Sequence, residues 1–318
     1  MADDGIHQPN DKLFRSAFGV PETAAAFLRA KLPETVAAAI DWPQLQRLPG
    51  TFIDTQFRAS HTDLLFTAPV VDRDALIYVL FEHQSTRDKW LPLRLLRYMV
   101  RIWEQRDRPD ESECLLPAIL PVVLSQNAQS WDIDPRFSSL LDIPRSLRDE
   151  IAPFVPDFSF HHFQLAEMPF EAIPGTPSGI LVLRAMKAER LGTLLDTMVW
   201  DEELIRLAAP EIVELILRYI LAGRVDRRDF NSKIISLKNH ETRSMAMTLA
   251  ETLRQEGRQE GRQEALRESV MNILAARFGR IPQGLCDAII AVGDEDQLGS
   301  LLRDALNCPS LEAFAGHL

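Results

Sequence analysis

The sequence predicts an α/β fold, with elements in the order α-β-β-β-α-β and a long helical extension behind them. Three observations carry that prediction. Residues 11–32 and 91–104 repeat their apolar side chains at helical spacing. Between them lie short runs rich in β-branched and aromatic residues, bounded by turn chemistry. One of these, Ile77-Tyr78-Val79-Leu80-Phe81, is apolar on both faces, as expected of a central strand covered by helices on either side.

The first helical stretch places Leu13, Phe14, Ala17 and Phe18 on one stripe, and Pro21-Glu22 restarts the helix that carries Ala24, Ala25, Phe27 and Leu28. Asp11 stands at its start, either as an N-cap or as an acid belonging to a site. Residues 51–58 read as a short strand bearing Asp54, an exposed strand acid or a further site carboxylate. Leu64-Leu65-Phe66 and Leu76–Phe81 then read as a hairpin. With Asp72 and Arg73 as its loop, Val71 faces Asp74 and Asp63 falls opposite Glu82. Opposed side chains have Cβ atoms about 5 Å apart, close enough for two carboxylates to share a divalent cation. Gln84 points to the same face as Glu82. His61 faces Gln84 across the hairpin, as a proton shuttle or as an ordinary strand histidine.

After the strands, Leu91, Leu95, Tyr98 and Ile102 form the apolar stripe of a helix, widened by Leu96, Met99 and Trp103. Arg94, Arg97 and Arg101 share another face of it, either solvated or set against a phosphate backbone. Leu115–Leu124, with prolines at 117 and 121, reads as an edge-proximal strand. Ser125-Gln126-Asn127 and Trp131 are assigned loop and packing roles. Phe158, Phe160, His162 and Gln164 alternate as one more strand, which puts His161 and His162 on opposite faces. Ile180–Ala188, Gly192–Trp200 and Glu211–Leu221 read as helices.

The tail contains one repeat, running from Arg254 to Ala265 with a period of four. It lines up Met245, Leu249, Leu253, Gly257, Gly261 and Ala265 in one row, with rows of Glu and Arg elsewhere on the helix. Like charges four apart and interior glycines weaken such a helix, at about 1 kcal/mol per glycine. A partner approaching along the small-residue row would support it, so self-association through residues 241–266 is expected. A solvated spacer is the other reading. The last fifty residues read as a small helical cap.

The composition is that of a globular protein, with 46% hydrophobic and 25% charged residues among 318. A net charge of −11 argues against a surface coated with DNA-binding groups but leaves room for a local basic patch. No apolar run reaches the roughly 18 residues of a membrane span, and Met1-Ala2-Asp3-Asp4-Gly5 is not a signal peptide. Cys114, Cys286 and Cys308 are widely spaced, so a reducing cytoplasm without structural zinc is expected.

Leu80-Phe81-Glu82-His83-Gln84-Ser85, followed by Trp90-Leu91-Pro92-Leu93-Arg94-Leu95-Leu96-Arg97-Tyr98, resembles the Rpn family of recombination-promoting nucleases and transposases. Asp11-Lys12-Leu13-Phe14-Arg15, Asp41-Trp42, Thr62–Phe66 and Leu116–Pro121 match in family order over roughly the first 135 residues. The family usually carries His-Asp where this chain has Asn10-Asp11. The resemblance implies a PD-(D/E)XK restriction-endonuclease-like core (αβββαβ) in residues 1–170, with a helical region at 171–240 and a helical tail at 241–318. It also implies a DNA endonuclease dependent on Mg²⁺ or Mn²⁺. Asp63 and Glu82 would hold the metal, and Gln84 would stand where most of the superfamily has a lysine. Asp11, Asp54 and His61 would support the site, and Arg94, Arg97 and Arg101 would meet the DNA backbone. Restoring lysine at position 84 is expected to retain or raise activity. The alternative, from another class, is a catalytically silent nuclease-fold module that binds DNA or itself.

Overall fold

The computed structural model describes residues 9–49, 62–71, 76–104, 115–223 and 225–318, with the backbone alone at Pro9, Thr62 and Asp63. Asp54, His61, the hairpin loop at Asp72 and Arg73, and Cys114 lie outside the described residues. The chain divides into two compact units, a first ending at Arg243 and a second from Ser244 to Leu318.

The first unit opens with three helices, α1 (Pro9–Phe18), α2 (Pro21–Lys31) and α3 (Glu34–Ala39). The strands are β1 (Gln46–Arg47), β2 (Thr62–Pro69), β3 (Leu76–Gln84), β4 (Ala118–Ser125) and β5 (His161–Gln164). Helix α4 (Leu91–Glu104) connects β3 to β4, and a single turn, α5 (Arg148–Ile151), precedes β5. They form one mixed sheet in the order β1-β2-β3-β4-β5, antiparallel up to β3 and parallel from β3 to β5. The fold is α/β. The hairpin has the register expected of it, with Thr62 paired to His83, Asp63 to Glu82 and Leu65 to Leu80.

Helices cover both faces of the sheet because β3 is apolar on both. Leu80 joins Leu65 and Val123 beneath Leu91, Leu95, Tyr98 and Ile102 of α4. On the other face Phe81 meets Phe14 at 5.1 Å, Phe18 at 5.6 Å and Phe27 at 5.8 Å, ring centre to ring centre. Each such buried side chain contributes about 1.5–3 kcal/mol. The strand at 118–125 lies next to the sheet edge, as its prolines suggested, with β5 beyond it. That neighbour joins only from Val122 onward, so Pro121 stands where β4 has a single partner.

Four helices complete the first unit, α6 (Pro177–Leu191), α7 (Glu202–Leu207), α8 (Pro210–Ala222) and α9 (Arg227–Ser236). Helices α6 and α8 both lie against α1, so residues 171–240 fold with the sheet rather than apart from it. Residues 192–200 are turns and not the predicted helix. Gly192 adopts the left-handed conformation at φ 70° and ends α6, and the Thr193 amide donates back to the Ala188 carbonyl at 2.8 Å.

Helix α10 (His240–Phe278) carries the repeat and runs into the second unit, joined there by α11 (Gln283–Ala291), α12 (Glu295–Asn307) and α13 (Leu311–Ala315). Val270, Leu274, Ile289, Leu298, Leu301 and Phe314 form a core of their own in that unit.

Candidate active site

Glu82 follows directly on the apolar run of β3 and is fully buried. An ionised carboxylate in that position is costly unless a cation compensates it. The compensation comes from the first turn of α4, where the Arg94 guanidinium donates through Nη2 to Glu82 Oε1. The same Nη2 donates to Gln84 Oε1 at 2.6 Å. Strand alternation sets Gln84 beside Glu82, and the Gln84 amide is turned by its own bond, Nε2 donating to the Thr86 carbonyl at 2.8 Å. That leaves Oε1 facing Arg94. Asp88 completes the cluster by accepting from Arg94 Nη1, while its other carboxylate oxygen receives the Trp90 amide at 2.8 Å at the start of α4.

Burial works against the charge on Arg94, yet the adjoining Glu82 carboxylate, aided by Asp88, holds its pKa above the ordinary guanidinium value. The guanidinium is firmly cationic and its side chain is only 12% exposed. The sequence placed Arg94 in an outward row with Arg97 and Arg101, but it folds inward. Arg97 and Arg101 remain on the solvent side of α4, with Arg101 in an exposed pair with Glu104 at 2.9 Å. A groove of about 530 Å³ runs along this side, from Asp88 and Trp90 past Arg94 and Arg97 to Arg101.

His83, for which the sequence pattern suggests no role, points to the opposite face. Its Nδ1 lies 2.9 Å from Asp11 Oδ1 and its Nε2 3.1 Å from Gln126 Oε1. Gln126 is oriented by its Nε2, which donates to the Met186 carbonyl at 2.7 Å and to Asn10 Oδ1 at 3.0 Å. Its oxygen therefore faces the ring, so both ring nitrogens of His83 look onto acceptor oxygens, one of the Asp11 carboxylate and one of the Gln126 amide. Tyr219 closes the cluster by donating to Asn10, and burial, with Glu189 nearby, pushes its phenol well above the ordinary value. Asp11 is thus neither a cap nor a partner of Glu82; it fastens α1 to β3 from behind. Gln126, assigned a loop role by the sequence, is fully buried at the centre of this network.

One strand further, Ser125 is paired in register with Gln84, and its hydroxyl lies 3.0 Å from His162 Nε2. Burial holds the His162 imidazole below its ordinary pKa against an opposing pull from Glu167. His161 shows no contact with this group and lies 14° from parallel to the Phe163 ring instead.

Among the described residues, no three acidic, histidine or cysteine side chains gather in metal-binding geometry. The donor chemistry at Glu82 and Gln84 nevertheless suits a hard divalent cation, because two oxygen acceptors already converge on a cationic group. The backbone of Asp63 stands opposite Glu82.

The sequence from residue 8 to 211, well over half of the chain, matches the family model described as "Putative transposase, YhgA-like". The chain belongs to this YhgA-like family. Among its relatives, the recombination-promoting nuclease RpnD of Escherichia coli O157:H7 is 31% identical over 122 residues, which is 38% of this chain and 46% of RpnD. The recombination-promoting nuclease RpnA of Escherichia coli strain K12 is 31% identical over 38% of this chain and 41% of its own length. The inactive recombination-promoting nuclease-like protein RpnE of that strain is 30% identical over 39% of this chain and 40% of its own. The chain therefore spans less than half the length of these relatives. No solved structure matches it.

Proposed function

We propose that this YhgA-like chain is a metal-dependent DNA endonuclease with a PD-(D/E)XK-type core, acting in recombination or element mobility. The observation that carries the reading is a fully buried Glu82, held with Gln84 at the end of a central strand whose register sets Asp63 opposite. Two of the relatives named above are called recombination-promoting nucleases, which supports the same reading. The element order α-β-β-β-α-β in the first unit fits such a core.

Asp63 and Glu82 would hold Mg²⁺ or Mn²⁺. When bound, that cation polarises the scissile phosphate and lowers the pKa of the attacking water. Gln84 orients water by hydrogen bonding without adding charge. Arg97 and Arg101, on the outer side of α4, contact the DNA backbone without reading sequence. The chain works as a homo-oligomer joined through residues 241–266. A second reading, a nuclease-fold module that binds without cutting, is favoured by the likeness to RpnE, a protein named inactive.

Supercoiled plasmid incubated with the purified protein separates the two. Nicking is expected with Mg²⁺ or Mn²⁺, and a loss of at least about a hundredfold in Asp63→Ala and in Glu82→Ala. Cleavage by Glu82→Ala at the parent rate would show that the site lies elsewhere.

A further inference from the structure

Arg94 is the point on which the oxygens of Glu82, Gln84 and Asp88 converge. Guanidinium groups only donate, so three acceptors turned inward on one of them mark a place built for positive charge. Two of those acceptors are the ones that the nuclease reading assigns to a divalent cation and to its water. The third, Asp88, is fixed independently by the Trp90 amide. Arg94 therefore has one anchor that does not depend on Glu82. The Gln84 amide has its own anchor as well, at the Thr86 carbonyl, and so presents its oxygen without help from the arginine.

Resting on the nuclease reading, we propose that Arg94 is a resident counter-charge of this site. In the cation-free protein it neutralises Glu82. A divalent cation competes with it for that carboxylate, and Arg94, kept by Asp88 and Gln84, then supplies the positive charge near the phosphate that Gln84 lacks. The superfamily's usual lysine at the third position is replaced here by a glutamine on the strand plus an arginine from the following helix. No bond forms or breaks at Arg94. The exchange is one cation for another on a carboxylate, with the guanidinium protonated throughout.

The experiment compares the full-length parent with Arg94→Gln, Arg94→Lys and Glu82→Gln. It measures Mn²⁺ affinity by calorimetry, thermal unfolding with and without Mn²⁺, and plasmid nicking at saturating Mn²⁺. Removing a unit charge a few ångströms from the cation is expected to tighten Mn²⁺ binding by about tenfold or more in Arg94→Gln. The same variant should melt lower than the parent without cation, recover most of that loss with Mn²⁺, and cleave more slowly at saturation. A residue that merely supports the fold would not move binding and turnover in opposite directions. Glu82→Gln should show no Mn²⁺ response.

If Arg94→Gln does not fold, Arg94→Lys decides. It keeps the charge but not the two-acceptor bridge, so an affinity several-fold above the parent supports the proposal and an unchanged one overturns it. Equal Mn²⁺ affinity in parent and Arg94→Gln, with binding still abolished by Glu82→Gln, overturns the role of Arg94 and leaves the cation site standing. Absence of Mn²⁺ binding at millimolar concentration in both parent and Arg94→Gln overturns the cation site and the role of Arg94 together.

Discussion

A lysine at position 84 would stand against Arg94, whose Nη2 now donates to the Gln84 oxygen at 2.6 Å. On the proposed endonuclease reading, this contact sets the opposite expectation to the superfamily pattern, in which Gln84→Lys retains or raises activity. An ammonium there takes the Gln84 acceptor from Arg94 and repels the guanidinium, with Glu82 and Asp88 left to balance both cations. Gln84→Lys alone is expected to lower the melting temperature and cleavage. Combined with Arg94→Gln it should regain both, with a coupling of about 1–3 kcal/mol in a double-mutant cycle. Additive effects of the two substitutions would mean that the side chains do not share one site. That Glu82 and Gln84 share one face was legible from strand alternation. Arg94 was not. Helical periodicity shows which residues share a face, and it grouped Arg94 with Arg97 and Arg101. It does not show that the first turn of α4 sits over the end of β3, which is what turns Arg94 inward.

The hairpin register could be derived because a short loop leaves few alternatives. The parallel pairing of β4 and β5 had no comparable local signal; the two prolines indicated only that the run lies near an edge, as it does. His83 shows the same limit from another side. Alternation puts it opposite Glu82, but its partners come from residues 72 and 43 positions away. Asp11→Ala or His83→Ala should cost about 1–3 kcal/mol by leaving buried polar groups unpaired, without abolishing Mn²⁺ binding on the other face of the sheet. Chemical denaturation and Mn²⁺ calorimetry on each variant check the two halves of that statement. At β5, His162 has a pKa lowered from 6.5 by burial. The folded state thus binds fewer protons than the unfolded chain below that pH, so its contribution is present above about 6.5 and is lost as the pH falls from there through the lower folded-state value. Thermal unfolding from pH 8 to pH 5 should decline less steeply in His162→Asn than in the parent, and identical slopes would assign the acid sensitivity to other groups.

At the scale of the whole molecule, the proposed endonuclease reading raises a question that one site alone does not answer. A single active site cuts one strand, and cutting both strands of a duplex in one encounter calls for two sites. The tail offers the means. Helix α10 contains Gly257 and Gly261, and a methyl group added at either would meet nothing within 4 Å among the described residues. The internal fold gives no reason for glycine there, and in an exposed helix interior each glycine costs about 1 kcal/mol against alanine. Close approach of a second backbone along the row from Met245 to Ala265 would account for both. Replacing the two glycines with alanine then has opposite effects on two quantities. Helicity and melting temperature measured on dilute protein should rise, because nothing in the chain opposes the added methyls. Association at tens of micromolar, followed by light scattering, should weaken, and double-strand cleavage should fall relative to nicking. A parent that scatters as a monomer at that concentration would reduce the repeat to a spacer, and an alanine variant that associates as well as the parent would show that the glycines do not set the contact.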